Sequence, residues 1–138
     1  MTTITVRSIK GYQQEIIAGD HVVYADEPVA IGGHDTGPNP YELLLGALGA
    51  CTSITVTMYA QRKSWDLQQV EVELTHSKDY VKDCEACADT DVKLDNVTVK
   101  LAFRGQLDAA QQQRLREIAE RCPVSQTLKG SMRITHLP

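Results

Sequence analysis

From Leu43 to Gln61 the chain runs 19 residues without a charge. This stretch predicts a helix over about residues 41 to 62, with Asn39 as a cap and Pro40 at the first helical position. It also contains Gly46, Gly49, Thr52, Ser53, Thr55 and Thr57, and the rest of the chain is polar. That mixture fits a helix buried on nearly all sides inside a protein better than a single bilayer span. Each early glycine costs about 1 kcal/mol relative to Ala in an isolated helix. A buried helix tolerates that where another backbone comes close.

The flanking segments carry strand periodicity. Thr2–Ile9 alternates, Tyr12–Ala18 and His21–Ala25 form a hairpin pair about Gly19-Asp20, and residues 26 to 40 read as loop. After the helix, Leu67–Ser77 and Val92–Phe103 alternate again, with Asp95-Asn96 breaking the phase as a bulge does. Asp108 to Gln111 is a capping box opening a helix through Arg121. Pro123 opens a short helix that Gly130 ends, and Ser131–Leu137 reads as a last strand. Grouped strands and helices of this kind define an α+β fold. The length, 138 residues, favours one domain over residues 1 to 138, or one protomer of an intertwined oligomer.

The net charge is −4 and no basic cluster stands out, which speaks against nucleic acid as a partner. The first residues lack the basic and apolar regions of a secretory signal, so the expected compartment is the cytoplasm. Its four cysteines, at positions 51, 84, 87 and 122, are then reactive, metal-bound or buried rather than structural disulfides. Taken by itself, Cys51 reads first as a small core residue of an apolar helix. Cys122 stands just before Pro123, where backbone N–H groups and the positive helix end lower a thiol pKa.

Gly37-Pro-Asn-Pro40, followed by Glu42-Leu-Leu-Leu and Leu48-Gly-Ala-Cys51-Thr, resembles the central-helix motif of the OsmC/Ohr family, the osmotically inducible and organic hydroperoxide resistance proteins. Arg121-Cys122-Pro-Val-Ser125 resembles that family's second cysteine motif. The motifs stand in the family's order, with their cysteines 71 positions apart. The resemblance implies an intertwined homodimer with sheets packed around two long central helices. It also implies a thiol peroxidase requiring no prosthetic group. Cys51 would attack the distal oxygen of an organic hydroperoxide, and its sulfenic acid would condense with Cys122 as resolving thiol. A dithiol of the dihydrolipoyl type would then reduce the bridge. An apolar pocket suits alkyl or acyl hydroperoxides.

Two positions depart from the family's peroxidases. These place a glutamate ten residues before the reactive cysteine, where this chain has Tyr41. Glu42 lies about 100° further round the helix. The peroxidases also carry an arginine between the first strands, and residues 11 to 19 here contain none. A guanidinium beside the thiol lowers its pKa against the effect of an apolar pocket, leaving Arg7 or a partner-chain arginine to do so here. These departures support an alternative: a small-molecule-binding or redox-sensing module in which Cys51 is inert.

Cys84-Glu-Ala-Cys87 has three open readings: half of a zinc site with His76, Asp83 or Asp89 as further ligands, a redox dithiol, or no chemistry at all. His34, upstream of the helix motif, is a candidate for the pocket entrance. Ser125 is a candidate hydrogen-bond partner of the Cys122 sulfur. Met58 and Tyr59 read as packing residues, and Trp65 as packing at the end of the helix.

Overall fold

The computed structural model describes residues 1–80 and 93–138. The fold is α+β, with two compact units, Met1–Gly46 and Ala47–Pro138. In the first unit, β1 (Thr5–Ser8), β2 (Gln14–Ala18) and β3 (His21–Ala25) form an antiparallel meander in sequence order. Thr5 pairs with Ile17, and Gln14 with Ala25. The loop after β3 contains one 3-10 turn, Val29–Ile31, and is gathered on Asp26. That carboxylate is 2 % exposed and accepts the Glu27 N–H at 2.8 Å, the His34 and Thr36 N–H groups at 3.2 Å each, and the Thr36 hydroxyl at 2.6 Å. These donors outweigh burial and bring its pKa from an ordinary 3.8 down to about 2.

Helix α1 (Pro40–Arg62) begins in the first unit and continues into the second. Its start is a reciprocal cap: the Asn39 side-chain Oδ1 accepts the Glu42 N–H at 2.9 Å, and the Glu42 carboxylate accepts the Asn39 N–H at 3.4 Å. Four-residue spacing puts Leu48, Thr52, Val56 and Ala60 on one buried stripe. The helix is long and apolar enough to cross a membrane by length and composition, yet only 28 % of its most apolar window is buried within the chain. Ile54 and Met58 remain 58 % and 59 % exposed. The expected burial on nearly all sides is not met within the chain: the buried residues are the stripe and Gly49 beside it. The glycines divide in the same way. A Cβ at Gly49 would come within 2.8 Å of the Leu74 side chain, whereas Gly46 faces open space. The close neighbour at Gly49 is thus a side chain and not a backbone.

In the second unit, β4 (Gln69–Tyr80) and β5 (Lys93–Arg104) form an antiparallel pair. Val70, Val72 and Leu74 stand opposite Phe103, Leu101 and Val99, so one face is apolar. The register passes unbroken through Ser77–Asn96 and Lys78–Asp95. The bulge expected at Asp95-Asn96 is absent. Asp95 instead accepts a place in the ladder and pairs its carboxylate with His76 Nε2 at 2.8 Å. Helix α2 (Ala109–Ala119) opens on the expected capping box, with reciprocal bonds of 2.7 and 2.9 Å between Asp108 and Gln111. Its apolar face meets α1: Val56, Ala60, Leu115 and Ala119 form the buried core, and Tyr59, Trp65, Leu67, Val70, Leu101, Phe103 and Leu107 pack around it. Burying Val56 and Leu115 completely contributes roughly 1.5–3 kcal/mol each.

Helix α3 (Pro123–Lys129) runs between Cys122 and Gly130, as Pro123 and Gly130 dictate. The segment from Ser131 onward is not a strand. Its alternation is real, but a strand needs a hydrogen-bonded neighbour, and among the described residues this segment has none. Met132, Ile134 and Leu137 are left 60 %, 75 % and 85 % exposed.

Candidate functional site

Two elements distant in sequence meet here through the contact of Thr52 with the Cys122 sulfur, and each carries a thiol. Cys51 lies midway along α1 and is half-buried. Cys122 lies at the entrance to α3 and is fully buried, and both are free thiols. The backbone of Cys122 is extended, with φ −62° and ψ 137°, which turns its side chain back over the first turn of α3. There its sulfur accepts the Ser125 backbone N–H at 3.3 Å. Ser125 therefore partners Cys122 through its main chain, not through its hydroxyl.

A third contact comes from Thr52. Although adjacent to Cys51 in sequence, it belongs to the buried stripe of α1. Its hydroxyl lies 2.8 Å from the Leu48 carbonyl and 3.6 Å from the Cys122 sulfur. Burial pushes the Cys122 thiol pKa up. Hydrogen bonds from the Thr52 hydroxyl, the Ser125 N–H, the Cys51 thiol and the Val124 N–H outweigh it, and the pKa falls below its ordinary value. These stabilising contacts are neutral donors. Cys122 thus gains thiolate character without a guanidinium beside it.

Beside this site lies a cavity of about 690 Å³. Thr52 and Ser125 form part of its wall, together with apolar Leu48, Val97, Val99, Leu101 and Leu128, and Lys100, Arg116 and Lys129 supply cationic groups. Arg116 is already engaged, donating to the Leu101 carbonyl at 3.0 Å and lying 5.1 Å from the Phe103 ring centre. At the far end of α1, Tyr59 accepts Arg114 Nε at 3.1 Å and meets Trp65 edge-on, with ring centres 5.6 Å apart. That bond, reinforced by the charges of Arg114, Lys63 and Arg62 against the effect of burial, lowers the Tyr59 phenol pKa.

Of the candidate residues, Cys122 and Ser125 are in direct contact, and Thr52, next to Cys51 on α1, joins them at the Cys122 sulfur. Residue type does not single out Thr52 in the sequence, because threonines are frequent in this helix. Its signal was its place on the stripe Leu48-Thr52-Val56-Ala60, four residues after one apolar position and four before the next. His34, Tyr41 and Glu42 belong to the first unit. There the His34 N–H is held by Asp26 and the Glu42 carboxylate by the Asn39 N–H. Arg7, on β1, is exposed. Cys84 and Cys87, with Asp83 and Asp89, lie outside the described residues. His76 pairs with Asp95, and among the described residues no group of three or more His, Cys, Asp or Glu side chains converges as a metal set.

Fold and site together define an α+β protein whose long apolar helix presents one thiol beside a second, sealed one. Residues 33–136 match the family model described as OsmC-like protein, and the chain belongs to that family. It is similar in structure to an OsmC-like protein from Mycoplasma pneumoniae, with 17 % identity, TM-score 0.73, and coverage of 94 % of this chain and 88 % of that one. An organic hydroperoxide resistance protein OsmC from Legionella pneumophila gives 19 %, 0.66, 94 % and 90 %. The organic hydroperoxide resistance protein OhrB of Bacillus subtilis gives 23 %, 0.59, 94 % and 91 %. No curated protein matches the chain significantly.

Proposed function

We propose that this protein protects against peroxides as a two-thiol peroxidase acting on organic hydroperoxides. The observation that carries the proposal is the asymmetry of the cysteine pair: Cys51 is partly open, while the Cys122 sulfur is sealed and hydrogen-bonded by the Ser125 N–H and by Thr52, the residue next to Cys51 on α1. The resistance proteins of Legionella pneumophila and Bacillus subtilis share the fold. In the proposed cycle the Cys51 thiolate attacks the distal peroxide oxygen, and the O–O bond breaks to release the alcohol after proton uptake. The Cys122 thiolate then attacks the sulfenic sulfur, forming the disulfide and expelling hydroxide, which leaves as water. An external dithiol, of the dihydrolipoyl type by family resemblance, returns both thiols to the reduced state. The cycle needs no prosthetic group.

The working unit in this proposal is a homodimer of single OsmC-like domains in the cytoplasm. Ile54 and Met58 on α1, and Met132 and Ile134 beyond α3, supply apolar surface for a second copy to cover. Turnover of cumene hydroperoxide with a dithiol, against a Cys51→Ser control, tests the reading. Activity lost in the variant supports it, and equal rates in the two proteins end it.

One observation favours a second reading, a binding or redox-sensing module with inert Cys51. Tyr41 occupies the family's glutamate position, and the neighbouring Glu42 carboxylate is held in the helix cap. That module predicts slow alkylation of Cys51 near neutral pH and no Cys51–Cys122 bridge after stoichiometric peroxide.

A further inference from the structure

We propose that Thr52 is a positioning residue that makes Cys122 the leaving sulfur when the Cys51–Cys122 disulfide is reduced, so that the incoming thiol becomes joined to Cys51. This rests on the two-thiol cycle above and specifies the direction of its reductive half.

The Thr52 hydroxyl has one proton and two acceptors in reach, the Leu48 carbonyl at 2.8 Å and the Cys122 sulfur at 3.6 Å. While the sulfur is neutral or part of a disulfide, the shorter bond to the carbonyl four residues back holds the proton. When charge develops on the Cys122 sulfur, rotation about a single bond turns that proton onto it. The Ser125 N–H at 3.3 Å is a second donor already fixed by the backbone. Cys122 is 0 % exposed, so bulk water does not solvate the departing charge, and these two groups do so instead. Among the described residues, the Cys51 sulfur has no such pair of hydroxyl and backbone N–H donors. The better stabilised thiolate is the better leaving group in thiol exchange.

Access works in the same direction, because Cys51 is half-buried and Cys122 is sealed. An organic thiolate, RS⁻, therefore attacks the Cys51 sulfur and forms an R–S–S–Cys51 bond. The Cys51–Cys122 bond breaks, and Cys122 leaves with the electron pair as thiolate. If the reductant is a dithiol, its second thiolate attacks its own sulfur in the mixed disulfide and expels Cys51 as thiolate. The reductant is oxidised to a disulfide, and both cysteines take up protons from solvent.

The test starts from full-length oxidised protein and a limiting monothiol, 2-mercaptoethanol. An acid quench, alkylation and peptide mapping then locate the adduct. The expected result is the adduct on Cys51 and the alkyl label on Cys122, with a preference of about tenfold or more. An even distribution, or an adduct on Cys122, overturns the proposal. Preparing the bridge with diamide as well as with peroxide separates the two failures. If diamide forms the bridge and peroxide does not, the peroxidase reading fails, while the mapping still decides the direction of exchange. Thr52→Val should slow reduction about tenfold and Thr52→Ser should restore it. Thr52→Ala serves the same purpose if the valine variant does not fold. A hydroxyl-free variant that folds and reduces at the wild-type rate contradicts the assignment.

Discussion

The sulfur of Cys122 accepts the backbone N–H of Ser125 at 3.3 Å, so the residue proposed to resolve the sulfenic acid is also the N-cap of α3. A single side chain thereby serves both local structure and the proposed chemistry, and the two roles separate by substitution. Serine at this position keeps a cap acceptor, whereas alanine removes it. Cys122→Ala should unfold more easily than Cys122→Ser by about 1 kcal/mol in chemical denaturation. Both should accumulate a Cys51 sulfenic acid that dimedone traps after one equivalent of cumene hydroperoxide. Equal stability of the two variants would remove the capping role.

Asp26 gives the first unit a pH dependence. Its pKa is about 2 in the folded chain against an ordinary 3.8. A depressed carboxylate stabilises the fold fully above the unfolded value, and that contribution is lost as the pH falls through the folded one. The wild type should therefore lose thermal stability between about pH 4 and pH 2, beyond the loss seen in Asp26→Asn. The variant should be less stable at neutral pH. Parallel melting-temperature profiles for the two proteins from pH 5 to pH 2 would show this carboxylate to be irrelevant.

Gly105 closes the connection from β5 toward α2 with φ +135°. A Cβ built there would overlap the Asp66 carbonyl, while the Asp66 carboxylate accepts the next residue's N–H, that of Gln106, at 2.8 Å. Both the backbone angle and the available space require glycine. Gly105→Ala should lose at least about 2 kcal/mol of unfolding free energy. A loss below about 0.5 kcal/mol would show that the turn relaxes freely.

The sequence was most readable where the determinants are local. The uncharged run with Asn39-Pro40 before it marked α1, the Asp108–Gln111 box opened α2, and Pro123 and Gly130 bounded α3. Each is a contact within a few residues. Reading failed where a distant partner decides. Asp95-Asn96 interrupts the apolar phase, but His76 across the ladder gives Asp95 a place and the register continues. Ser131–Leu137 alternates as strands do, yet finds no neighbouring strand among the described residues. Thr52 illustrates the same limit at the site. Its helix and stripe were readable, but its contact with a sulfur 70 residues away depends on how α1 meets the segment between α2 and α3.

Peptide mapping of the full-length protein after one equivalent of cumene hydroperoxide, under denaturing alkylation, tests the two-thiol account most directly. The account predicts that Cys51 and Cys122 lose their free thiols together and appear as one cross-linked peptide pair, and that Cys51→Ser forms no such pair. Cys51 and Cys122 both remaining alkylatable in the wild type after peroxide would contradict it.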